Sequence, residues 1–126
     1  MKVLILEPGK VAREADIDHD LQTMQEIVGG IITVTYPYEE PVGVVCNDEG
    51  LLMGLPLNRK LDDYTIIAGT FFLCGLGEED LTDLSPELME KYRRELYYPQ
   101  FIFRDPEGGL IGVPYDPDDY TDDTGF

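Results

Sequence analysis

The stretch IITVTYPYEEPVGVVCNDEG, residues 31–50, decides the fold. Ile31 to Tyr36 is rich in β-branched residues and alternates, which predicts a strand. Pro37-Tyr38-Glu39-Glu40-Pro41 is a loop, because a proline at either end interrupts any ladder. Val42 to Cys46 is a second strand, and Asn47-Asp48-Glu49-Gly50 has the residues of a turn. Leu51 to Met53 is then expected to pair back as the second half of a hairpin. Short links of this kind build antiparallel sheets, since parallel strands need long crossovers.

Working outward, Val3 to Leu6 reads as a strand stopped by Pro8-Gly9, and Lys10 to Ile17 as its hairpin partner. Asp18 or Asp20 can cap a helix over 19–28, whose Leu21, Met24, Ile27 and Val28 form one stripe, with Gly29-Gly30 at its end. Tyr64 to Ala68 and Phe71 to Cys74 are further strands. Ser85-Pro86 pairs a capping hydroxyl with proline in the first turn, predicting a helix over 86–96 with Leu88, Tyr92 and Leu96 on one face. Phe101 to Phe103 and Leu110 to Tyr115 are short extended pieces. From Asp116 the sequence DPDDYTDDTGF has little to bury, so a mobile acidic tail is expected. The expected architecture is one α+β domain over 1–115, a mixed, largely antiparallel sheet with two helices packed on it, and a tail over 116–126.

The chain has 126 residues and 43% hydrophobic content, enough for a real core. It carries 26 Asp and Glu against 9 Lys and Arg, a formal charge of −17. That balance opposes direct binding to nucleic acid, whose phosphates need Lys and Arg, and to anionic membranes. It suits the reverse, an acidic surface steered into a basic groove. MKVLILE has too short an apolar run for a signal core, and no stretch approaches the ~18 apolar residues of a membrane span. The expected location is the cytoplasm of a bacterial host. Cys46 and Cys74 each sit in an apolar run and read as buried thiols; with one histidine they cannot form the usual structural zinc site.

The run MQEIVGGIITVTYPYEEPVGVVCNDEG, then GLPLNR, then YTIIAGTFFLCGL resembles the domain of unknown function family numbered 3846, and MKVLILEPGK resembles that family's start. The resemblance covers residues 1 to 96 and ends before Tyr97. It implies a setting in phages and mobile elements, chiefly of Firmicutes, some of whose proteins sit beside antirestriction modules. It implies no reaction and no catalytic residues.

The residues themselves also offer no reaction. His19 is the single histidine, and there is no GxSxG or HExxH. Gly75-Leu76-Gly77 precedes Glu78, Glu79 and Asp80, which would repel a phosphate. No enzymatic activity, cofactor or metal is therefore expected. The favoured reading is a counter-defence protein, an acidic nucleic-acid mimic that binds a restriction or CRISPR nuclease. Its binding surface would draw on Glu78, Glu79, Asp80, Asp83, Glu87, Glu90, Asp116, Asp118 and Asp119. The main alternative is a nucleotide or anion module that uses a loop at Asn58-Arg59, with Asn47, Asn58 and Arg59 as the pocket and Arg59 as a planar fork. A blander reading pairs Arg59 with a nearby carboxylate and leaves Lys60 solvated. A third reading is an oligomeric accessory protein that uses Tyr36, Tyr38, Tyr97 and Tyr98.

Overall fold

The computed structural model describes residues 1–120. Strands β1 (Lys2–Leu6) and β2 (Arg13–Asp16) form the first hairpin, and α1 (Leu21–Val28) leads into β3 (Ile32–Thr35) and β4 (Val42–Asn47). Strands β5 (Leu57–Lys60), β6 (Ile66–Ala68), β7 (Phe71–Leu76) and β8 (Leu81–Thr82) follow, then α2 (Pro86–Glu95), β9 (Gln100–Arg104) and β10 (Leu110–Pro114). The main sheet runs β2-β1-β7-β4-β3, with β8 paired to the end of β7; β5-β6 and β9-β10 are separate two-stranded ribbons. Every strand pairing among the described residues is antiparallel. The α+β expectation holds.

The helices pack on opposite faces of the sheet. The reason lies in β1, β4 and β7, which read VLIL, VGVVC and FFLC rather than alternating with polar residues. Leu4, Leu6, Val42, Val44, Phe71 and Leu73 face α2, meeting Met89, Tyr92 and Leu96. Val3, Ile5, Val45, Phe72 and Cys74 face α1, meeting Met24 and Val28. A strand covered on both sides carries apolar residues at successive positions, because neither face reaches water.

Both helices begin where the sequence places them. Thr23 N–H donates to Asp20 Oδ1 at 2.7 Å, and Leu88 N–H donates to Ser85 Oγ at 3.3 Å. Such caps each contribute about 1 kcal/mol. Helix α1 ends on Gly29 at φ 80, a left-handed conformation that a side chain would strain.

Two expectations are corrected. Leu51 to Met53 does not pair with β4, whose two edges are taken by β3 and β7. The segment coils back instead, with Met53 N–H donating to the Glu49 carbonyl at 2.8 Å and Leu55 N–H to the Gly50 carbonyl at 3.0 Å. The second concerns Asn58 and Arg59, read as a loop. They lie in β5, opposite β6, with a register shift between Leu57 and Arg59.

The β9–β10 ribbon is anchored on β5 through Lys60, which is not simply solvated. Its N–H donates to Gln100 Oε1 at 3.0 Å and its Nζ to the Leu110 carbonyl at 2.9 Å. Beyond the ribbon, Pro117–Tyr120 forms one 3₁₀ turn, so the start of the expected tail is structured. The remainder of the tail expectation, over 121–126, lies outside the described residues.

Candidate functional site

Arg59 occupies the junction of β5, the β1–β2 turn and the end of α2. Its side chain is fully buried, at 0% exposure. Nε donates to the Leu96 carbonyl at 2.8 Å. Nη1 donates to the Glu7 carbonyl at 3.2 Å and to Asn58 Oδ1 at 2.6 Å. Nη2 donates to the Lys10 carbonyl at 2.7 Å and to the Tyr97 carbonyl at 3.2 Å. A guanidinium has five N–H donors, and all five are used here. Leu96 and Tyr97 carry carbonyls left open where α2 ends, so the charge also sits favourably at the negative end of the helix dipole. Burial lowers the guanidinium pKa to about 10, which still leaves it charged at neutral pH.

That geometry corrects both readings of Arg59. These five bonds go to backbone carbonyls and one amide oxygen, so it is not held by a neighbouring carboxylate, and no donor is left for an added anion. The other members of the expected pocket are equally committed. Asn58 Nδ2 donates to the Leu6 and Gly69 carbonyls, both at 2.8 Å. Asn47 belongs to a different junction, where Nδ2 donates to the Val28 carbonyl at 3.3 Å and Oδ1 accepts from Glu49 N–H at 2.8 Å. Asn47, Asn58 and Arg59 do not converge on a shared opening.

The acidic candidates divide by topology. Lys2, Asp16 and Gly75 lie at one end of the main sheet, through the pairing of β1 with β2 and β7. At that end Lys2 N–H donates to Asp83 Oδ1 at 2.9 Å, and the α-ammonium of Met1 donates to Asp16 Oδ1 at 3.0 Å. His19 Nε2 lies 3.4 Å from Asp80 Oδ2, tying the β2–α1 loop to the β7–β8 turn. Glu78, Glu79 and Asp80 are exposed in that turn, and Glu87 is exposed in the first turn of α2, which begins beside Lys2. The chain after β8 passes close to β7: a Cβ on Gly75 would run into the Asp83 carbonyl oxygen.

Asp16, Asp18 and Asp20 join this end, and composition alone does not single them out. They are separated from Glu78 by nearly half of the chain, and the β1–β2 and β1–β7 registers bring them together. The Thr23 N–H that Asp20 caps holds its carboxyl below the usual range. Glu90 lies apart, along α2, 3.6 Å from Arg94. Asp116, Asp118 and Asp119 follow Tyr115, whose hydroxyl lies beside Gly9 at the opposite end of β1. The expected binding surface is therefore two regions plus one helix position, not one continuous face.

Burial pushes the Cys74 thiol up to about 11 and, with Asp48, raises that of Cys46. Among the described residues, no group of three or more His, Cys, Asp or Glu side chains is placed to hold a metal ion. No helix among the described residues is long and apolar enough to cross a membrane. Of the four tyrosines considered as contacts, Tyr38 packs on Tyr92 with ring centroids 4.4 Å apart, Tyr97 meets Tyr98 edge-on at 5.0 Å, and Tyr36 is exposed.

A family model matches residues 1–97. The chain belongs to the family described as Domain of unknown function (DUF3846). No curated protein and no solved structure matches it. The DUF3846 match takes in the main sheet, both helices and the whole hydrogen-bond shell of Arg59, closing on Tyr97. Glu78 to Glu90 lie inside it. The β9–β10 ribbon and Asp116, Asp118 and Asp119 lie beyond it.

Proposed function

We propose that this DUF3846 protein is a counter-defence inhibitor from a phage or mobile element. It occupies the basic groove of a nucleic-acid-binding enzyme, a restriction or CRISPR nuclease, in place of nucleic acid. The observation that carries this reading is the carboxylate end of the sheet. Asp16, Asp18, Asp20, Glu78, Glu79, Asp80, Asp83 and Glu87 gather there against Lys2, His19 and the N-terminal ammonium. Duplex DNA presents about one negative charge per 1.7 Å of axis, and a groove built for it attracts any surface of comparable charge density. The anion-module alternative loses its pocket, because Arg59 has no donor to offer.

The test is a pull-down from a host lysate with active restriction and CRISPR systems, eluted in steps of salt. The captured enzyme is then assayed for DNA binding with the protein present. Competition is expected, strong at low salt and weakened by combined E78K, E79K and D80K. Simultaneous binding of DNA and the protein to the enzyme overturns the mimic.

A further inference from the structure

The two edges of the main sheet are finished differently. The edge strand β2 reads Arg13-Glu14-Ala15-Asp16, and its charges discourage another strand from pairing. The edge strand β3 reads Ile32-Thr33-Val34-Thr35, with no charge, no proline and no bulge. Its register is Ile32 opposite Asn47 and Thr33 opposite Cys46, and Asp48 N–H donates to the Ile31 carbonyl at 2.8 Å. Hydrogen-bonded pairs alternate along an antiparallel ladder, so Ile31, Thr33 and Thr35 turn their backbone groups toward β4. The N–H and C=O of Ile32 and Val34 therefore point off the sheet, and no other described segment pairs with them.

A groove of about 380 Å³ adjoins this edge on the α2 side, lined by Thr33, Cys46, Leu51, Leu52, Ile66 and Ile67. Its mouth is open and carries two bare leucines, Leu52 at 86% exposure and Leu51 at 61%, beside Asp48 and Glu49. Asp48 and Glu49 are exposed beside the start of β3, and Glu39 is exposed in the loop after its end. Two copies pairing β3 with β3 about a two-fold axis would set Asp48 and Glu49 of each against Glu39 of the other. That like-charge arrangement, in a chain of charge −17, works against a second copy and favours a strand with cationic ends.

We propose that β3 accepts an extended segment of a partner protein as an added strand. Main-chain bonds to Ile32 and Val34 hold the segment, one apolar side chain fills the groove, and flanking Lys or Arg meet Asp48–Glu49 and Glu39. Strand addition of this type draws affinity from the backbone and selectivity from the pockets for alternate side chains. The site runs along the β3 edge: its Glu39 end reaches the carboxylate end of the sheet, because β4 pairs with β7 through Val42 and Gly75, but the groove at Thr33 and Cys46 lies toward the other end, so the proposal can fail without the nuclease reading failing.

The probe is a blocked peptide of alternating threonine and leucine with a lysine at each end. Amide hydrogen exchange of the full chain is followed by NMR. Addition of the probe at about 1 mM is expected to slow exchange at Ile32 and Val34 by about tenfold or more. A glutamate-ended probe and a probe N-methylated on the amides that face β3 should both fail to do so. Leu52→Ser, at an exposed position, should weaken the lysine probe, while combined E78K, E79K and D80K should leave it unchanged. Unaltered exchange at Ile32 and Val34 overturns the proposal, as does equal protection by the N-methylated probe. Protection that instead rises with protein concentration alone overturns it in favour of a second copy.

Discussion

Replacing Arg59 by alanine removes five donated hydrogen bonds at once. The contacts to the Leu96 carbonyl and Asn58 Oδ1 are buried, whereas those to Glu7, Lys10 and Tyr97 are partly buried, where water can enter. A buried acceptor left without a partner costs about 1–3 kcal/mol, so the two enclosed acceptors together cost about 2–6 kcal/mol. The void left by the side chain adds to this. We expect a loss of about 4 kcal/mol, a large part of the ~5–15 kcal/mol that holds a domain of this size. Urea unfolding reads it directly: with a slope of about 2 kcal/mol per molar, the midpoint should fall by about 2 M. Arg59→Met fills most of the void but still strands the acceptors, and should keep about half the loss or more. Arg59→Lys retains the charge with fewer donors and should lie between methionine and wild type. The Ala12 amide, which donates to the Tyr97 carbonyl at 2.8 Å, should exchange faster in each variant. An alanine variant within about 1 kcal/mol of wild type would refute the reasoning, because the clamp would then carry no more than a surface contact.

Other outcomes follow from the same contacts. Gly75→Ala drives a methyl into the Asp83 carbonyl and should cost about 2 kcal/mol or more, seen as a lower thermal midpoint. Native Cys74 should react with a disulfide reagent only on unfolding, since burial removes its thiolate at neutral pH; rapid labelling would contradict its place in the core. Burial raises the phenol pKa values of Tyr38 and Tyr92, and the Glu40 carboxylate raises that of Tyr92 further. The unfolded chain loses these protons near pH 10 while the folded chain keeps them, so stability falls as pH rises above about 10. Arg59 acts in the opposite sense over that window, its pKa being lowered on folding. The measurement is therefore the difference between wild type and Tyr92→Phe, whose alkaline decline should be shallower.

The helices were the most legible part, because their signals are local. Asp20, Gly29, Ser85 and Pro86 lie within one turn of the ends they define, and the observed 21–28 and 86–95 lie inside the expected 19–28 and 86–96. Most strand positions were legible for the same reason, though not β5 or β8, and pairing was legible for the local β1–β2 hairpin but not for the longer-range contacts. Leu51 to Met53 is apolar and follows a good turn, yet β7, arriving later in the chain, takes the β4 edge that this segment would have used. Arg59 was misread for a deeper reason. In a chain with so many carboxylates, a cation invites pairing with a carboxylate or a ligand, and sequence alone gives no sign of open backbone carbonyls. Those appear only when the end of α2 and the β1–β2 turn meet over β5. A guanidinium suits that meeting better than an ammonium, since its fixed fork can reach carbonyls on separate segments with one side chain. The acidic surface has the converse history. Its charge was plain from composition, but whether it gathers depended on register: β1 pairing with β2 and β7 brings Asp16 and Asp83 to one end, while Tyr115 packing near Gly9 takes the later aspartates to the other. Composition thus suggests the kind of partner proposed above, and the long-range pairings decide which carboxylates such a partner would meet.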